Sequence, residues 1–158
     1  MFQRSLSLVI AALGALALAG GTVAQEKPGT NEALARAAVD QYMKAVKAKN
    51  LDDIMKTVDV PFYMDGKKNI KDQDELRKLC AKLEAHASYK IAIAYPYEEL
   101  RTKLSKQDQE LLKEVLAKGD YVLILEVVTA NGGMERATIA VKIREGKAKV
   151  VGRGVIGS

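Results

Sequence analysis

Cysteine is nearly missing from this 158-residue chain: Cys80 is its single thiol, so no intramolecular disulfide forms. The same count excludes a CxxC redox pair, a cysteine-rich zinc site and a disulfide-stapled scaffold, and leaves stability to hydrophobic packing. Histidine is equally scarce. His86 stands alone, so a metal site would draw nearly every ligand from carboxylates, and no clustered acidic pattern supplies them. A Ser-His-Asp arrangement would need Ser88 or Ser105, and neither lies in nucleophile-elbow text. Tryptophan is absent, and two phenylalanines stand against six tyrosines. Aromatic and basic residues do not interleave, which leaves nucleic-acid recognition without support. The excess of 25 basic over 20 acidic residues is scattered along the chain; it describes a solvated exterior, not a polyanion-binding stripe. Internal repeats and low-complexity tracts are lacking too.

What is present begins with an address. Arg4 provides a positive start, Leu6 to Leu18 is a short apolar run, and Thr22-Val23-Ala24 places small or β-branched residues at a cleavage position. Residues 1–24 are therefore read as an export signal cut near Ala24, placing the mature chain in a secreted or periplasmic setting. No cysteine at that point offers a lipid attachment site. A retained signal would act as an anchor, although its run is short for a spanning helix, and no second apolar run approaches spanning length. Residues 25–30 read as a polar linker and 31–158 as one domain, long enough to bury roughly two-thirds of its unfolded surface.

Within that domain the periodicity changes from helical to extended. Leu34, Ala38, Tyr42 and Val46, widened by Val39 and Met43, form one helical stripe. Asn50 caps a second helix with Leu51, Ile54, Met55 and Val58 on its apolar side. Val60 to Met64 reads as a strand, Asp65-Gly66 as a hairpin turn and Lys67 to Ile70 as the returning strand. Asp72 and Glu75 open a third helix along Leu76, Leu79, Cys80 and Leu83, with His86 expected in its exposed last turn. Tyr89, Ile91, Ile93 and Tyr95 alternate onto one face of a strand. A fourth helix runs from Ser105 to a stop at Gly119. Three strands follow, 121–129, 134–144 and 147–156, with Gly152 and Gly154 marking a bulge or bend in the last.

This order, carried by NEALARAAVDQYMKAVKAKN, LDDIMKTVDV, PFYMDG and KDQDELRKL, resembles the NTF2-like superfamily, including its SnoaL-like and ketosteroid-isomerase-like members. The resemblance spans Asn31 to Ile156. It implies an α+β cone, with N-terminal helices packed on a strongly bent antiparallel sheet around a pocket closed by the first helix. Residues 98–119 add a helical stretch before the strand meander, covering either the cavity mouth or a partner surface. The same fold hosts isomerases, dehydratases, ligand binders and dimerising modules, so fold alone does not select a function.

The functional expectation is an exported, non-catalytic domain that binds a small apolar or aromatic molecule or a protein partner. The expected pocket walls are Val39, Tyr42, Met43, Phe62, Tyr63, Ile91 and Ile139, which would equally serve as ordinary core. A homodimer through an open sheet face is a further expectation, and nothing in the sequence calls for a cofactor or metal. The alternative is an isomerase- or dehydratase-type enzyme. In ketosteroid-isomerase-like members a carboxylate near the end of the matching strand shuttles a proton, which would cast Asp65 as base and Tyr42 or Tyr95 as phenolic donor. The competing account of Asp65 is turn geometry. A cystatin-like inhibitor, which shares helix-on-sheet packing, is the remaining alternative. Cys80, on an apolar stripe, is read as core and not as a nucleophile.

Overall fold

The computed structural model of the protein describes residues 30–64 and 67–156. The export segment, the linker up to Gly29 and the candidate base Asp65 lie outside these residues. Helix α1, Asn31–Lys47, begins where the Thr30 hydroxyl accepts the Ala33 N–H and carries Glu32 in its first turn and Lys44 and Lys47 in its last. Those charges oppose the helix dipole at each end. Its apolar stripe buries Ala35, Ala38, Val39, Tyr42, Met43, Ala45 and Val46. Lys49, at φ +52°, turns the chain into α2, Leu51–Thr57, whose cap is the Asn50 side chain. Helix α3, Gln73–Cys80, is capped at 2.8 Å by Asp72 accepting from the Glu75 N–H. The Glu75 carboxylate pairs instead with Lys68.

Six strands form one sheet: β1 Val58–Met64, β2 Lys68–Ile70, β3 His86–Pro96, β4 Tyr121–Thr129, β5 Met134–Arg144 and β6 Lys147–Ile156. Their spatial order is β2-β1-β6-β5-β4-β3. The sheet is mixed, since β1 runs parallel to β6 while the other neighbours are antiparallel. The long chain between β1 and β6 makes that parallel return feasible, as no tight hairpin could.

Register shifts break the ladder at four points, one of them between Val58 and Tyr63 where β1 meets β6. Ala92 is extra in β3, between the pairs Ile91↔Leu125 and Ile93↔Ile124. Val151 is extra in β6, between Val141↔Val150 and Ala140↔Gly152. A further shift lies between His86 and Ser88. Each extra residue bends its strand and inverts which side chains face which way beyond it. Ile93 and Tyr95 therefore do not share a face with Tyr89 and Ile91, contrary to simple alternation.

Two hydrophobic cores result, one on each face of the sheet. The inner core, beneath α1, includes Val39, Tyr42, Phe62, Leu76, Leu123, Leu125, Ile139 and Val150. Full burial of such a side chain is worth roughly 1.5–3 kcal/mol before conformational entropy is counted. The outer core holds Tyr63, Val122, Ala140 and Val151 against Tyr97, Leu100, Leu112, Val115 and Leu116. The latter come from residues 97–120, comprising α4, Tyr97–Arg101, and α5, Lys106–Lys113. The added segment thus lies on the face opposite α1 and covers part of the surface expected to be open for dimerisation. The helical stretch expected over 98–119 is divided into α4 and α5, and α5 ends before Gly119.

Two buried carboxylates hold this segment. Asp108, 1% exposed, accepts from the Ser105 hydroxyl at 2.6 Å and the Tyr63 hydroxyl at 3.0 Å. Asp120, fully buried, accepts from the Ala117 and Ile143 N–H groups and from both terminal nitrogens of Arg144, at 2.5 and 2.9 Å. Among the described residues, no helix is long and apolar enough to cross a membrane.

Candidate functional site

At one end of the inner core the packing leaves a cavity of about 190 Å³, bordered by Tyr42, Phe62, Met64, Leu79, Cys80, Leu83, Arg153 and Gly154. Four elements meet there. Helix α1 supplies Tyr42, the inward positions of β1 supply Phe62 and Met64, and α3 with the turn after it supplies Leu79, Cys80 and Leu83. Strand β6 supplies Arg153. The lining is mostly apolar and carries one formal charge, the Arg153 guanidinium.

Arg153 reaches the cavity because of the bulge. Val150 lies in the inner core and Val151 in the outer one. Strict alternation from Val150 would turn residue 152 inward and Arg153 outward. The extra residue reverses this, so Gly152 faces the outer side and Arg153 the inner. Gly152 is required there: a Cβ on it would lie 2.9 Å from Tyr63 Cβ, 3.1 Å from Ala140 Cβ and 3.2 Å from the Tyr63 carbonyl oxygen.

The guanidinium is held loosely. Its Nη2 lies 4.0 Å from Glu135 Oε1, beyond hydrogen-bonding length. It also donates toward the Tyr42 hydroxyl. Burial pushes the Tyr42 phenol above its ordinary pKa, an effect partly offset by Arg153. Burial likewise drives the Cys80 thiol up to about 11, so it stays protonated at neutral pH and is a poor nucleophile.

His86 stands close enough to feel the same charge. It opens β3 and is 6% exposed, whereas the sequence pattern placed it in an exposed helix end. Helix α3 stops at Cys80, and the chain is already extended when it reaches residue 86. Its ring meets Tyr89 edge-on at 5.3 Å, and its Nε2 is buried with no hydrogen-bond partner. Burial, reinforced by Lys47 and Arg153, lowers its pKa. Tyr89 donates to the Asp40 carboxylate.

Of the expected pocket walls, Tyr42 and Phe62 border the cavity. Val39, Met43 and Ile139 are buried in the inner core, with Ile91 packed against its edge. Tyr63 and Tyr95 are elsewhere: both belong to the outer core, so the sheet separates them from Tyr42. Tyr95 is turned outward by the Ala92 bulge, which removes it as a phenolic donor beside Tyr42. Arg153 was missed as a site residue, and its signal was the glycine on either side of it. Glycines that imply a bulge also imply that inward and outward positions exchange. Among the described residues, no group of three or more His, Cys, Asp or Glu side chains could hold a metal ion.

No protein-family model and no curated protein sequence matches the chain. Solved structures do resemble it. An NTF2-like protein of unknown function from Shewanella baltica OS155 is similar at a TM-score of 0.51 and 10% identity, over 85% of this chain and all of that one. A de novo designed protein with a curved β-sheet is similar at 0.50 and 12% identity, over 78% of this chain and 99% of that one. An NTF2-like protein of unknown function from Cytophaga hutchinsonii ATCC 33406 is similar at 0.45 and 14% identity, over 77% and 88%. At such identities the likeness concerns architecture and transfers no activity. With its helices packed on a bent six-stranded sheet, the chain has an NTF2-like α+β fold.

Proposed function

We propose that this chain is an exported, non-catalytic domain that holds a small molecule in the cavity between α1, α3 and the inner face of the sheet. The observation that carries this reading is a largely apolar cavity of about 190 Å³ at one end of the inner core. A lined cavity of about 150 Å³ already accommodates a benzene ring, so the volume suits one ring or a medium-length chain. The chemistry of the walls favours binding over turnover. Cys80 is protonated, Tyr42 is harder to ionise than usual, and no carboxylate or imidazole borders the cavity among the described residues.

Native mass spectrometry of the protein purified from its source reads any retained mass directly. The expected result is a small species released on denaturation and lost when Leu83→Trp fills the cavity. No retained mass, combined with no shift in melting temperature from any apolar probe, would defeat the reading. Export is checked separately by expressing the full chain with a C-terminal tag and sequencing the N-terminus. A mature start near Gln25 is expected, whereas a cytoplasmic product beginning at Met1 overturns export.

A further inference from the structure

We infer that the ligand is an amphipathic monoanion: a carboxylate or like anion on an apolar body of about eight carbons, its charge against Arg153 and its body among Phe62, Leu79 and Leu83. The inference rests on the cavity reading just given and adds a charge to it. A bulge and a glycine that tolerates no side chain together direct a cation into an apolar wall. A charge placed among apolar groups costs free energy unless it is paired. Its acidic neighbour, Glu135, is too distant for a hydrogen bond, at 4.0 Å. The contrast with Arg144, bound through both terminal nitrogens to Asp120 at 2.5 and 2.9 Å, shows what a fully engaged arginine looks like in this protein. Arg153 keeps the planar fork of donors that matches a carboxylate. One donor of that fork is directed toward the Tyr42 hydroxyl. The volume sets the scale of the apolar body, since a cavity of about 150 Å³ already holds a benzene ring and this one offers about 190 Å³.

Three probes with one tail separate charge from cavity: octanoate, octanol and octylammonium, titrated calorimetrically into the mature protein, with methyl NMR shifts at Leu79 and Leu83 locating the bound tail. Octanoate is expected to bind about tenfold or more tighter than octanol, as a charge-assisted hydrogen bond requires, and octylammonium weakest. Arg153→Met should abolish the preference, with octanoate no longer binding tighter than octanol and the tail still located by the methyl shifts at Leu79 and Leu83. Glu135→Gln should tighten octanoate by up to about fivefold, the worth of a loose, partly exposed ion pair. Equal binding of octanoate and octanol, unchanged in Arg153→Met, overturns the anionic class and leaves the cavity reading standing. Absence of methyl shifts with all three probes defeats the cavity reading itself.

Discussion

Gly152 and His86 show how much depends on single side chains. At Gly152 the nearest obstacles to a Cβ include backbone, the Tyr63 carbonyl oxygen at 3.2 Å, besides the two Cβ atoms. These atoms cannot rotate away, so Gly152→Ala must spread β1, β5 and β6. A loss of about 1–3 kcal/mol is expected, the usual cost of overpacking, read as a lower urea midpoint with an unchanged slope. At His86 the imidazole is buried among Lys47, Arg153 and the edge of Tyr89, and its pKa lies below the ordinary 6.5. Its unfolded form takes up a proton first as pH falls, so protonation favours unfolding. Stability should therefore decline from pH 7 toward pH 5, and His86→Phe should flatten that part of the curve in pH-dependent denaturant melts. Asp40, whose pKa is lowered by hydrogen bonds from Lys44 and Tyr89, acts in a lower window. Its contribution is lost only as pH falls through its depressed pKa. A parent protein as stable at pH 5 as at pH 7 would refute the account of His86.

At the scale of elements, legibility in the sequence followed the range of the forces involved. Caps, turns and helical stripes are local, so the helices beginning at Asn31, Leu51 and Gln73 could be read, as could the last three strands. Bulges are not local. The pattern around Tyr89 to Tyr95 alternates cleanly, yet Ala92 is extra because β4 has no residue to pair with it. The same applies to Val151, which is why Arg153 was legible as a residue and not as a wall of the cavity. Helix α4 is a single short stretch sustained by the burial of Tyr97 and Leu100 against the sheet, a tertiary cause that five residues cannot announce.

The clamp on the added segment is testable at this scale. Asp120→Asn removes the charge facing Arg144 and replaces one acceptor oxygen with an amide nitrogen, which cannot accept the N–H bonds from Ala117 or Ile143. A loss of about 2–4 kcal/mol is expected in thermal or urea melts, since a buried group loses its partner. Tyr63→Phe removes one hydrogen bond to Asp108 and should cost about 1 kcal/mol. A double-mutant cycle with Asp108→Ala should show coupling between the two sites.

For the whole molecule, the sheet acts as a partition. One face closes over a core that ends in a cavity; the other is covered in part by residues 97–120. Placing charge at both Leu112 and Leu116, each buried in the outer core, should unseat the segment and expose Tyr63, Val122 and Val151. Light scattering should then report stronger concentration-dependent self-association in the Leu112→Asp, Leu116→Asp double variant than in the parent. The double variant should still take up octanol, because the cavity lies on the other face. Loss of both properties together would mean that the two cores do not behave separately.

Val151 also bears on how such a pocket changes over generations. Because Val151 is the residue without a partner, deletion of its codon would straighten β6 and leave Gly152 opposite Ala140 and Arg153 opposite Ile139. The pocket would keep its cation, and the outer core would lose one valine. Relatives of this chain should therefore be aligned by the strand pairs on either side of the bulge, not by counting residues along the last strand.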